Sequence, residues 1–218
     1  MLSSLILCGG KGSRLGRLGK KIPKTLLKIK NKSIIDHLII NLKKNDIKKI
    51  TLSTFYKHNL INNYIKQKKN YKNIEIYNDG DINILERIKL NLKRSNSDLL
   101  VLYGDEIARI DLKKLYKNHK NSKKKLTITT IKLKSNFGFL FRKNKKFIFK
   151  EKPFIGNYNI GYMIFDKKCI NLIKNTKYIE TFIQKLCDLN DVNQYVYKGV
   201  HTTVNTLEDY NKAKNIKI

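Results

Sequence analysis

Apolar residues in the first half of the chain recur with the periods of alternating strands and helices. Leu2–Cys8 is an apolar run that ends at Gly9 and Gly10, which is typical of a buried parallel strand entering a loop. Ser33 is placed to cap a helix, because Asp36 follows three residues later and apolar positions continue at helical spacing. Further strands are predicted over residues 49–55, 74–77 and 99–103, and further helices over residues 59–67 and 84–92. This alternation predicts a parallel sheet covered by helices.

The pattern changes after residue 111 to a mixture of strands and helices. Asp111 is placed to cap a helix that runs to about residue 121. Strands are predicted at 126–133, 159–165 and 195–197, a hairpin at 139–142 and 147–150, and helices at 179–189 and 206–213. No linker or internal repeat separates the halves. We predict one domain over residues 1–218, with halves 1–110 and 111–218 sharing a mixed, mostly parallel α/β sheet with helices on both faces.

Composition allows a folded core and gives no sign of a membrane span. Hydrophobic residues make up 41% of the 218 residues, which is too many for a disordered chain. No stretch approaches the roughly 18 uncharged apolar residues that a spanning helix needs. The apolar N-terminus has no basic segment before it and runs into glycines rather than a cleavage site. We therefore expect a cytoplasmic protein without a signal peptide.

The net charge of +30 has two interpretations, nucleic-acid binding and a lysine-rich surface. Basic residues are spread over nearly every predicted helix and loop, and Lys123–Lys125 is the longest run. We see no basic tail and no aromatic–basic repeat of the kind that stacks on bases. We therefore expect no nucleic-acid partner. The charge should still attract anionic substrates such as nucleoside triphosphates.

The cysteines and histidines follow no recognisable catalytic or metal-binding pattern. The three cysteines are widely spaced and form no CxxC pair, so neither a disulfide framework nor a zinc site is predicted. We interpret the scattered histidines as core or surface residues. These residues are Cys8, Cys169, Cys187, His37, His58, His119 and His201.

A glycine-rich loop follows the first predicted strand. Residues 9–15 read Gly-Gly-Lys-Gly-Ser-Arg-Leu, and Pro23 and Lys24 come later. Glycines let backbone N–H groups approach phosphate closely, because no Cβ intervenes. The Arg14 guanidinium can form bidentate hydrogen bonds with phosphate oxygens, and Lys24 adds a compact positive charge. The spacing fits neither a Walker A loop nor the dinucleotide-binding GxGxxG motif.

An acidic residue follows another predicted strand, because Gly104 and Asp105 come directly after residues 99–103. Ligands of open α/β sheets bind outside the carboxyl ends of the strands, so Asp105 should face the glycine loop across one site. Mg²⁺ takes one or two carboxylates plus phosphate oxygens and water, and a carboxylate at this place is suited to hold it. Glu106 and Asp111 lie nearby, and we interpret Asp111 as a helix cap.

Together these motifs resemble the signature of nucleoside-diphosphate-sugar pyrophosphorylases, the sugar-phosphate nucleotidyltransferases. The resemblance covers nearly the whole chain in the right order. It implies a Rossmann-like (GT-A-like) fold, and Mg²⁺-dependent joining of a nucleoside triphosphate to a sugar 1-phosphate with release of pyrophosphate. It implies catalytic roles for Arg14, Lys24, Asp105 and Lys152. The nucleotide-binding residues that it implies are Leu7, Cys8, Gly9, Gly10, Gly12, Ser13, Arg14, Lys24, Arg87 and Gly104.

A second metal ligand is expected near the C-terminus. Residues 204–209 resemble a cytidylyltransferase pattern in which an Asp precedes Thr, and Asn205 stands in place of that Asp. An amide oxygen can ligate Mg²⁺ but brings no negative charge. The resemblance therefore implies Asp105 and Asn205 as metal ligands, with Thr203 as another candidate. Independently, Thr206 and Asp209 have the spacing of a capping box for the last helix.

Three segments of the second half resemble the sugar side of the family's site. Residues 151–153 read Glu-Lys-Pro, which resembles the EKP segment whose Glu binds sugar hydroxyls and whose Lys meets the sugar phosphate. Residues 136–138 resemble an FG turn, and residues 158–161 an NGG or NAG segment in which Ile160 replaces a small residue. The implied sugar-binding residues are Gly138, Glu151, Lys152 and Asn159.

Substrate identity is less defined by the sequence. Residues 85–88 and 103–105 resemble glucose-1-phosphate cytidylyltransferases, so CTP is favoured, with GTP and TTP still open. Base contacts are expected within residues 79–87. The resemblance also implies a role in surface polysaccharide synthesis. The family's longer members add a C-terminal β-helix, which we expect to be absent here, and the oligomeric state is left open.

Two alternatives remain at this stage. A nucleotidyltransferase of this fold could use a non-sugar acceptor, as the choline-phosphate and molybdenum-cofactor types do, although Glu151 and Asn159 favour a sugar. A catalytically impaired nucleotide-binding protein is the other alternative, and it is motivated by Asn205 and Ile160.

Overall fold

The computed structural model describes residues 2–216, except for the side chain of Asn175. The strands are β1 (Leu2–Cys8), β2 (Lys28–Ile29), β3 (Lys32–Ser33), β4 (Ile50–Thr54), β5 (Ile74–Asn78), β6 (Asp98–Tyr103), β7 (Glu106–Ala108), β8 (Leu126–Lys134), β9 (Phe139–Lys143), β10 (Lys146–Lys150), β11 (Phe154–Phe165), β12 (Val192–Val196) and β13 (His201–Thr203). The helices are α1 (Arg17–Lys21), α2 (Ile34–Lys44), α3 (His58–Lys66), α4 (Ile84–Ser95), α5 (Leu112–Ser122), α6 (Cys169–Leu172), α7 (Ile179–Asp188) and α8 (Leu207–Asn215).

A seven-stranded sheet with the order β12-β8-β11-β6-β1-β4-β5 forms the centre of the protein. β6, β1, β4 and β5 are mutually parallel, as the strand–helix alternation of the first half predicts. β11 enters antiparallel between β6 and β8, and β12 then runs parallel to β8. Strands from both halves of the chain therefore share one sheet, and the predicted α/β fold class is confirmed.

Both faces of the central sheet are buried. Neighbouring side chains of a strand point to opposite faces, so Leu5 joins one apolar cluster and Ile6 the other. The cluster around Ile6 includes Leu38 of α2, and the cluster around Leu5 includes Ile88 of α4 and residues of α7. Burial on both faces explains why β1 reads as an apolar run rather than as an alternating pattern.

Side-chain caps begin several helices where the sequence predicts them. Ser33 and Asp36 form a capping box at the start of α2, and Thr206 and Asp209 form another at the start of α8. The Asp111 side chain accepts a hydrogen bond from the backbone of Lys114 at the start of α5. Each cap satisfies backbone N–H groups that lack partners within the helix.

The structure differs from the sequence prediction in the bounds of two strands and in short elements that were not predicted, namely α1, α6, β2, β3, β7 and β13. β12 occupies Val192–Val196 rather than residues 195–197, and β11 begins at Phe154 rather than at residue 159. β7 and β13 form a small antiparallel sheet that was not predicted, because three-residue strands are too short to show a period. The hairpin of β9 and β10 is confirmed, and it is a separate two-stranded sheet whose side chains are exposed.

No helix within residues 2–216 is long and apolar enough to cross a membrane.

Candidate active site

A cavity of about 700 Å³ opens where β1 and β6 end side by side. Its volume falls within the range of roughly 300–1,000 Å³ that is usual for small-molecule sites. It lies outside the carboxyl ends of parallel strands, which is where α/β sheets bind ligands. The lining residues are Leu7, Cys8, Gly9, Gly10, Lys11, Gly12, Ser13, Arg14, Lys24, Thr25, Asp81, Ile82, Asn83, Ile84, Arg87, Tyr103, Gly104, Asp105, Glu106, Tyr178, Ile179, Glu180 and Asn205.

The glycine-rich loop forms one wall of this cavity. Gly12 has a φ of 63°, a left-handed conformation that glycine adopts without steric cost. The chain then makes one turn of 3₁₀ helix, Ser13–Leu15, in which Leu15 is buried and Arg14 is at the cavity. The buried Leu15 fixes the turn on the protein while Arg14 stays available to an anionic ligand.

Arg87 of α4 connects the glycine loop to two neighbouring segments. Its Nη1 lies 2.8 Å from Ser53 Oγ and 3.1 Å from the Thr54 carbonyl oxygen. Its Nη2 and Nε donate to the carbonyl oxygens of Gly80 and Ile82 at 2.5 and 3.2 Å. Burial lowers the pKa of Arg87, although nearby carboxylates act in the opposite direction. The predicted nucleotide-binding residue therefore lies at the cavity with its donors engaged by the protein.

Gly9 is required for the close approach of that arginine. A Cβ at residue 9 would lie 2.7 Å from Arg87 Nη2 and 2.8 Å from Cζ. A Cβ here would force the guanidinium to move away from its hydrogen-bond partners, so the absence of a Cβ lets it pack directly under the loop. The glycine at the strand end is thus explained by packing against Arg87 as well as by any ligand.

Lys24, Asp105 and Asn205 form a hydrogen-bonded group at the cavity. The Lys24 ammonium lies 2.7 Å from Asp105 Oδ2 and 2.9 Å from Asn205 Oδ1. The side chains of Lys24 and Asp105 are 15% and 23% exposed. Asn205 Nδ2 donates to Thr203 Oγ1 at 3.0 Å, which directs its oxygen to the lysine. The structure therefore brings the two predicted metal ligands together, and Lys24 bridges them.

The donor set at this point fits a metal ion only when a ligand supplies further oxygens. Asp105 offers one carboxylate, of which Oδ2 contacts Lys24, and Asn205 offers one neutral amide oxygen, which also contacts Lys24. Mg²⁺ commonly takes one or two protein carboxylates and completes its shell with substrate phosphates and water. The residues therefore fit Mg²⁺ that is carried by a triphosphate.

Sequence reasoning missed a close contact between the Glu106 carboxylate and the His201 ring. His201 Nε2 lies 2.6 Å from Glu106 Oε2, and the two side chains are only 7% and 13% exposed. The sequence predicts only a core or surface position for His201, whereas β13 carries it beside Glu106, a residue of the cavity wall. Only the position of Glu106 directly after Asp105 could have indicated this site, because no motif surrounds His201.

Other lining residues also lacked a sequence signal. Thr25 has a buried hydroxyl with no hydrogen-bond partner among residues 2–216, and it follows Lys24 directly. Tyr178, Ile179 and Glu180 come from the start of α7, far along the chain from the glycine loop.

Burial raises the pKa of Tyr103 to about 12 and also raises that of the Cys8 thiol, so both stay protonated at neutral pH.

The four predicted sugar-binding residues are absent from the cavity lining given above. Gly138 and Glu151 are neighbours, because a Cβ at residue 138 would lie 3.0 Å from Glu151 Oε2. Lys152 is exposed in the turn after β10 and has a φ of 45°. Asn159 lies on β11 and its Oδ1 accepts the N–H of Gly161 at 2.9 Å. The structure thus groups them on the hairpin and the adjoining strand.

Gly161 links that group to the cavity. Its φ is 73°, and a Cβ there would lie 2.9 Å from Tyr103 and 3.0 Å from Glu106. Ile160 is fully buried in the apolar core, so its side chain is part of the core and not of the cavity lining. The close approach in the NGG-like segment is therefore made at residue 161, and the bulk of Ile160 does not narrow the cavity.

A separate group of Asp98, His119 and Asp166 could hold a metal ion, since their ligand atoms lie within 4.8 Å of one another. Asp98 begins β6, so this group lies at the amino end of that strand, whereas the cavity lies at its carboxyl end. Its carboxylate already accepts hydrogen bonds from Lys120 Nζ at 3.2 Å and from the backbone of Lys167 at 3.1 Å. These contacts give the group a structural role.

A mostly parallel sheet with a glycine loop and an acidic residue at the carboxyl ends of its strands is typical of α/β proteins that bind a ligand at that end of the sheet. The chain belongs to the nucleotidyl transferase family, whose family model matches residues 3–210. The resemblance to nucleoside-diphosphate-sugar pyrophosphorylases is thereby confirmed, and a cytidylyl preference is not.

Similar proteins carry sugar-phosphate names. A protein of Sulfolobus acidocaldarius, provisionally named mannose-1-phosphate guanyltransferase, is 31% identical over 96% of this chain, and the chain spans 61% of that protein's length. The D-glycero-alpha-D-manno-heptose 1-phosphate guanylyltransferase of Aneurinibacillus thermoaerophilus is 26% identical over 98% of this chain and 97% of its own. The structure of HddC from Yersinia pseudotuberculosis complexed with GMP-PN covers 98% of both chains at 23% identity, with a TM-score of 0.74.

Proposed function

We propose that this protein transfers a nucleotidyl group from a nucleoside triphosphate to a sugar 1-phosphate, forming a nucleoside-diphosphate sugar and pyrophosphate. The observation that carries the proposal is that the glycine loop, Arg14, Lys24 and Asp105 line one cavity. An elongated triphosphate needs backbone N–H groups, cations and a metal-binding carboxylate within one site, and these residues supply all three. The names of the guanylyltransferase relatives support the sugar-phosphate acceptor.

The groups at the cavity support a direct displacement at the α-phosphorus. A sugar phosphate is already a competent oxygen nucleophile, so the reaction needs no protein base. The raised pKa of Cys8 keeps that thiol protonated, which argues against a covalent intermediate on it. Catalysis then rests on positioning and on neutralising negative charge by Arg14 and Lys24.

Mg²⁺ fits this reaction as part of the nucleotide complex. When bound, it would neutralise charge on the phosphates and on the leaving pyrophosphate. Asp105 would hold it, with the Asn205 amide oxygen beside that carboxylate. Lys24 adjoins both residues and would pair with phosphate oxygens.

The acceptor site is proposed at the side of the cavity lined by Glu106, against which Gly161 packs. Asn159 contacts Gly161, and Gly161 packs against Glu106, so Asn159, one of the sugar-binding residues implied by resemblance, lies near the cavity at this side. Glu151 and Lys152 directly follow the exposed strand β10. They would contact the acceptor once it is bound. We propose GTP as the first nucleotide to test, because of the relatives' names, with CTP next. An activated sugar of this kind suits polysaccharide assembly.

The test is to incubate the protein with Mg²⁺, each of five nucleoside triphosphates and a panel of sugar 1-phosphates, and to identify products by mass. The expected product is a nucleoside-diphosphate sugar that forms with at least one pair. Choline phosphate belongs in the same panel, because a product with choline phosphate alone would replace the sugar assignment. Triphosphate binding without any product would identify the protein as a nucleotide-binding relative without this activity.

A further inference from the structure

The bridging position of Lys24 has a consequence for divalent cations. Its ammonium contacts one oxygen of each residue that would bind a cation, Asp105 Oδ2 at 2.7 Å and Asn205 Oδ1 at 2.9 Å. With side chains only 15% and 23% exposed, Lys24 and Asp105 are partly shielded from solvent, where a charge pair is stronger than in water. A cation that binds between Asp105 and Asn205 must therefore displace this lysine, and one at the other Asp105 oxygen would lie close to its positive charge.

The amide of Asn205 is fixed in the orientation that favours the lysine. Its Nδ2 donates to Thr203 Oγ1 at 3.0 Å, and its backbone N–H donates to Asp209 Oδ2 at 3.1 Å. If the amide were reversed, an N–H group would face the ammonium and both contacts would be lost. Residue 205 therefore contributes an oxygen, but no negative charge, to the site that binds the Lys24 ammonium, which we call the lysine seat.

The charge balance of the cavity also disfavours a free divalent cation. The Lys24–Asp105–Asn205 group has no net charge. Asp81 lies 3.5 Å from Lys11, and Glu106 lies 2.6 Å from His201. Divalent cations bind tightly where several oxygens, usually with two or more carboxylates, converge without a competing cation. This arrangement instead puts a built-in cation at the point of convergence.

We propose that Lys24 keeps divalent cations off Asp105 in the nucleotide-free protein and exchanges Asp105 for phosphate when a triphosphate binds. Asn205 favours this exchange, because an aspartate at residue 205 would hold the lysine more strongly and would leave a net negative charge. The first part of this proposal, which concerns the nucleotide-free protein, rests only on the contacts described above. The second part, the exchange half, rests on the proposed function.

The test measures Mn²⁺ retained by the protein in equilibrium dialysis, first without nucleotide. Wild-type protein should retain no Mn²⁺ above the level of Asp105→Asn. The double variant Lys24→Met/Asn205→Asp removes the competing cation and supplies a second carboxylate, so it should retain about one equivalent under the same conditions. The single variant Lys24→Met should show a smaller gain, and it serves if the double variant fails a thermal-melting check.

A matched control distinguishes an effect at the lysine seat from an effect of the protein's overall charge. Lys117→Met/Asn121→Asp makes the same two changes on exposed positions of α5 and should retain no more Mn²⁺ than wild type. Retention of Mn²⁺ by nucleotide-free wild type that is lost in Asp105→Asn would overturn the proposal. Equal retention by the folded Lys24 variants and this control would also overturn it.

The nucleotide arm repeats the dialysis with GTP, CTP, TTP, ATP or UTP and no acceptor. Wild type should now retain Mn²⁺ together with at least one triphosphate, and Asp105→Asn should retain less. If no triphosphate is retained while the nucleotide-free results hold, the proposed function fails and the lysine seat stands. If a triphosphate is retained and Mn²⁺ still requires loss of Lys24, the exchange half is wrong.

Discussion

Gly104 donates its backbone N–H to the carbonyl oxygen of Leu7 at 3.1 Å, at the place where β6 and β1 reach the cavity. A Cβ at residue 104 would lie 2.4 Å from that oxygen and 2.7 Å from Thr25 Cγ2. Both neighbours are held in place, one by the backbone of a buried strand and one by burial. The glycine before Asp105 is therefore a packing requirement that sets the distance between the two strand ends.

Gly104→Ala should lower the free energy of unfolding by about 1–3 kcal/mol, because the backbone must shift to accept the methyl group. Gly156→Ala is the matched control, since a Cβ at residue 156 meets nothing within 4 Å. Urea denaturation measures both. Equal stability of the two variants would mean that the strand ends are not packed as described.

Asp105→Asn should abolish pyrophosphate release, because it removes the charge that would hold Mg²⁺ while keeping the shape of the side chain. Asp188→Asn, at the exposed end of α7, should leave the rate unchanged. A colorimetric pyrophosphate assay with the best substrate pair distinguishes the two. Full activity of Asp105→Asn would remove the metal assignment.

Lys24→Met should reduce the rate by roughly 10²–10³, which is typical of losing one charge contact in the transition state. The loss should fall mainly on kcat if Lys24 meets phosphate charge that develops during the reaction. Lys32→Met changes an exposed lysine of β3 and should have no effect. An unchanged kcat in folded Lys24→Met would contradict a phosphate-neutralising role.

Arg87→Lys should destabilise the protein although it keeps the charge. A lysine has no planar fork and cannot satisfy Ser53, Thr54, Gly80 and Ile82 together. The expected loss is about 2–4 kcal/mol, since buried acceptors lose their partners. Thermal unfolding should show a clear drop, and the exposed Arg109→Lys should show none. Equal melting temperatures would mean that Arg87 does not organise these segments.

Asp36 should make stability sensitive to acid. Burial alone would raise its pKa, but hydrogen bonds from Lys68, Tyr64, Ser33 and Tyr71 lower it below the ordinary value of 3.8. Since the folded-state pKa is the lower one, its stabilising contribution is present above about pH 4 and is lost as pH falls through the folded-state pKa.

Asp36→Asn should therefore cost about 1–3 kcal/mol at pH 7, and the difference from wild type should shrink below pH 4. Asp46→Asn removes an exposed carboxylate paired with exposed Lys113 and should leave the denaturation midpoint unchanged. A difference between Asp36→Asn and wild type that stays constant from pH 7 to pH 3 would contradict this assignment.

Much of the fold was predictable because its central strands are buried on both faces. β1 and β6 read as apolar runs ending in Gly9 and Gly104, and Ser33 and Thr206 carry capping-box spacings. These signals are local, so one sequence suffices to recognise them. β7 and β13 carry no such signal, because three-residue strands are defined by their pairing across the fold rather than by a pattern.

The candidate site was predictable only where a motif marked it. The sequence placed the glycine loop and Asp105 at one sheet edge, because parallel strands end together. It did not reveal that Lys24 bridges Asp105 and Asn205, since that contact joins residues 181 positions apart. The Glu106–His201 pair and the start of α7 were missed for the same reason. The burial of Ile160 was not predictable either, because its face of β11 depends on an irregular pairing with β8.

Pyrophosphate release with one component omitted at a time tests the central proposal most directly. If the cavity holds a metal-bound triphosphate beside a sugar phosphate, release should require triphosphate, Mg²⁺ and sugar 1-phosphate together, and Asp105→Asn should eliminate it. Release that proceeds unchanged in Asp105→Asn, or no release with any pairing of five triphosphates and the sugar 1-phosphate panel, would contradict the account.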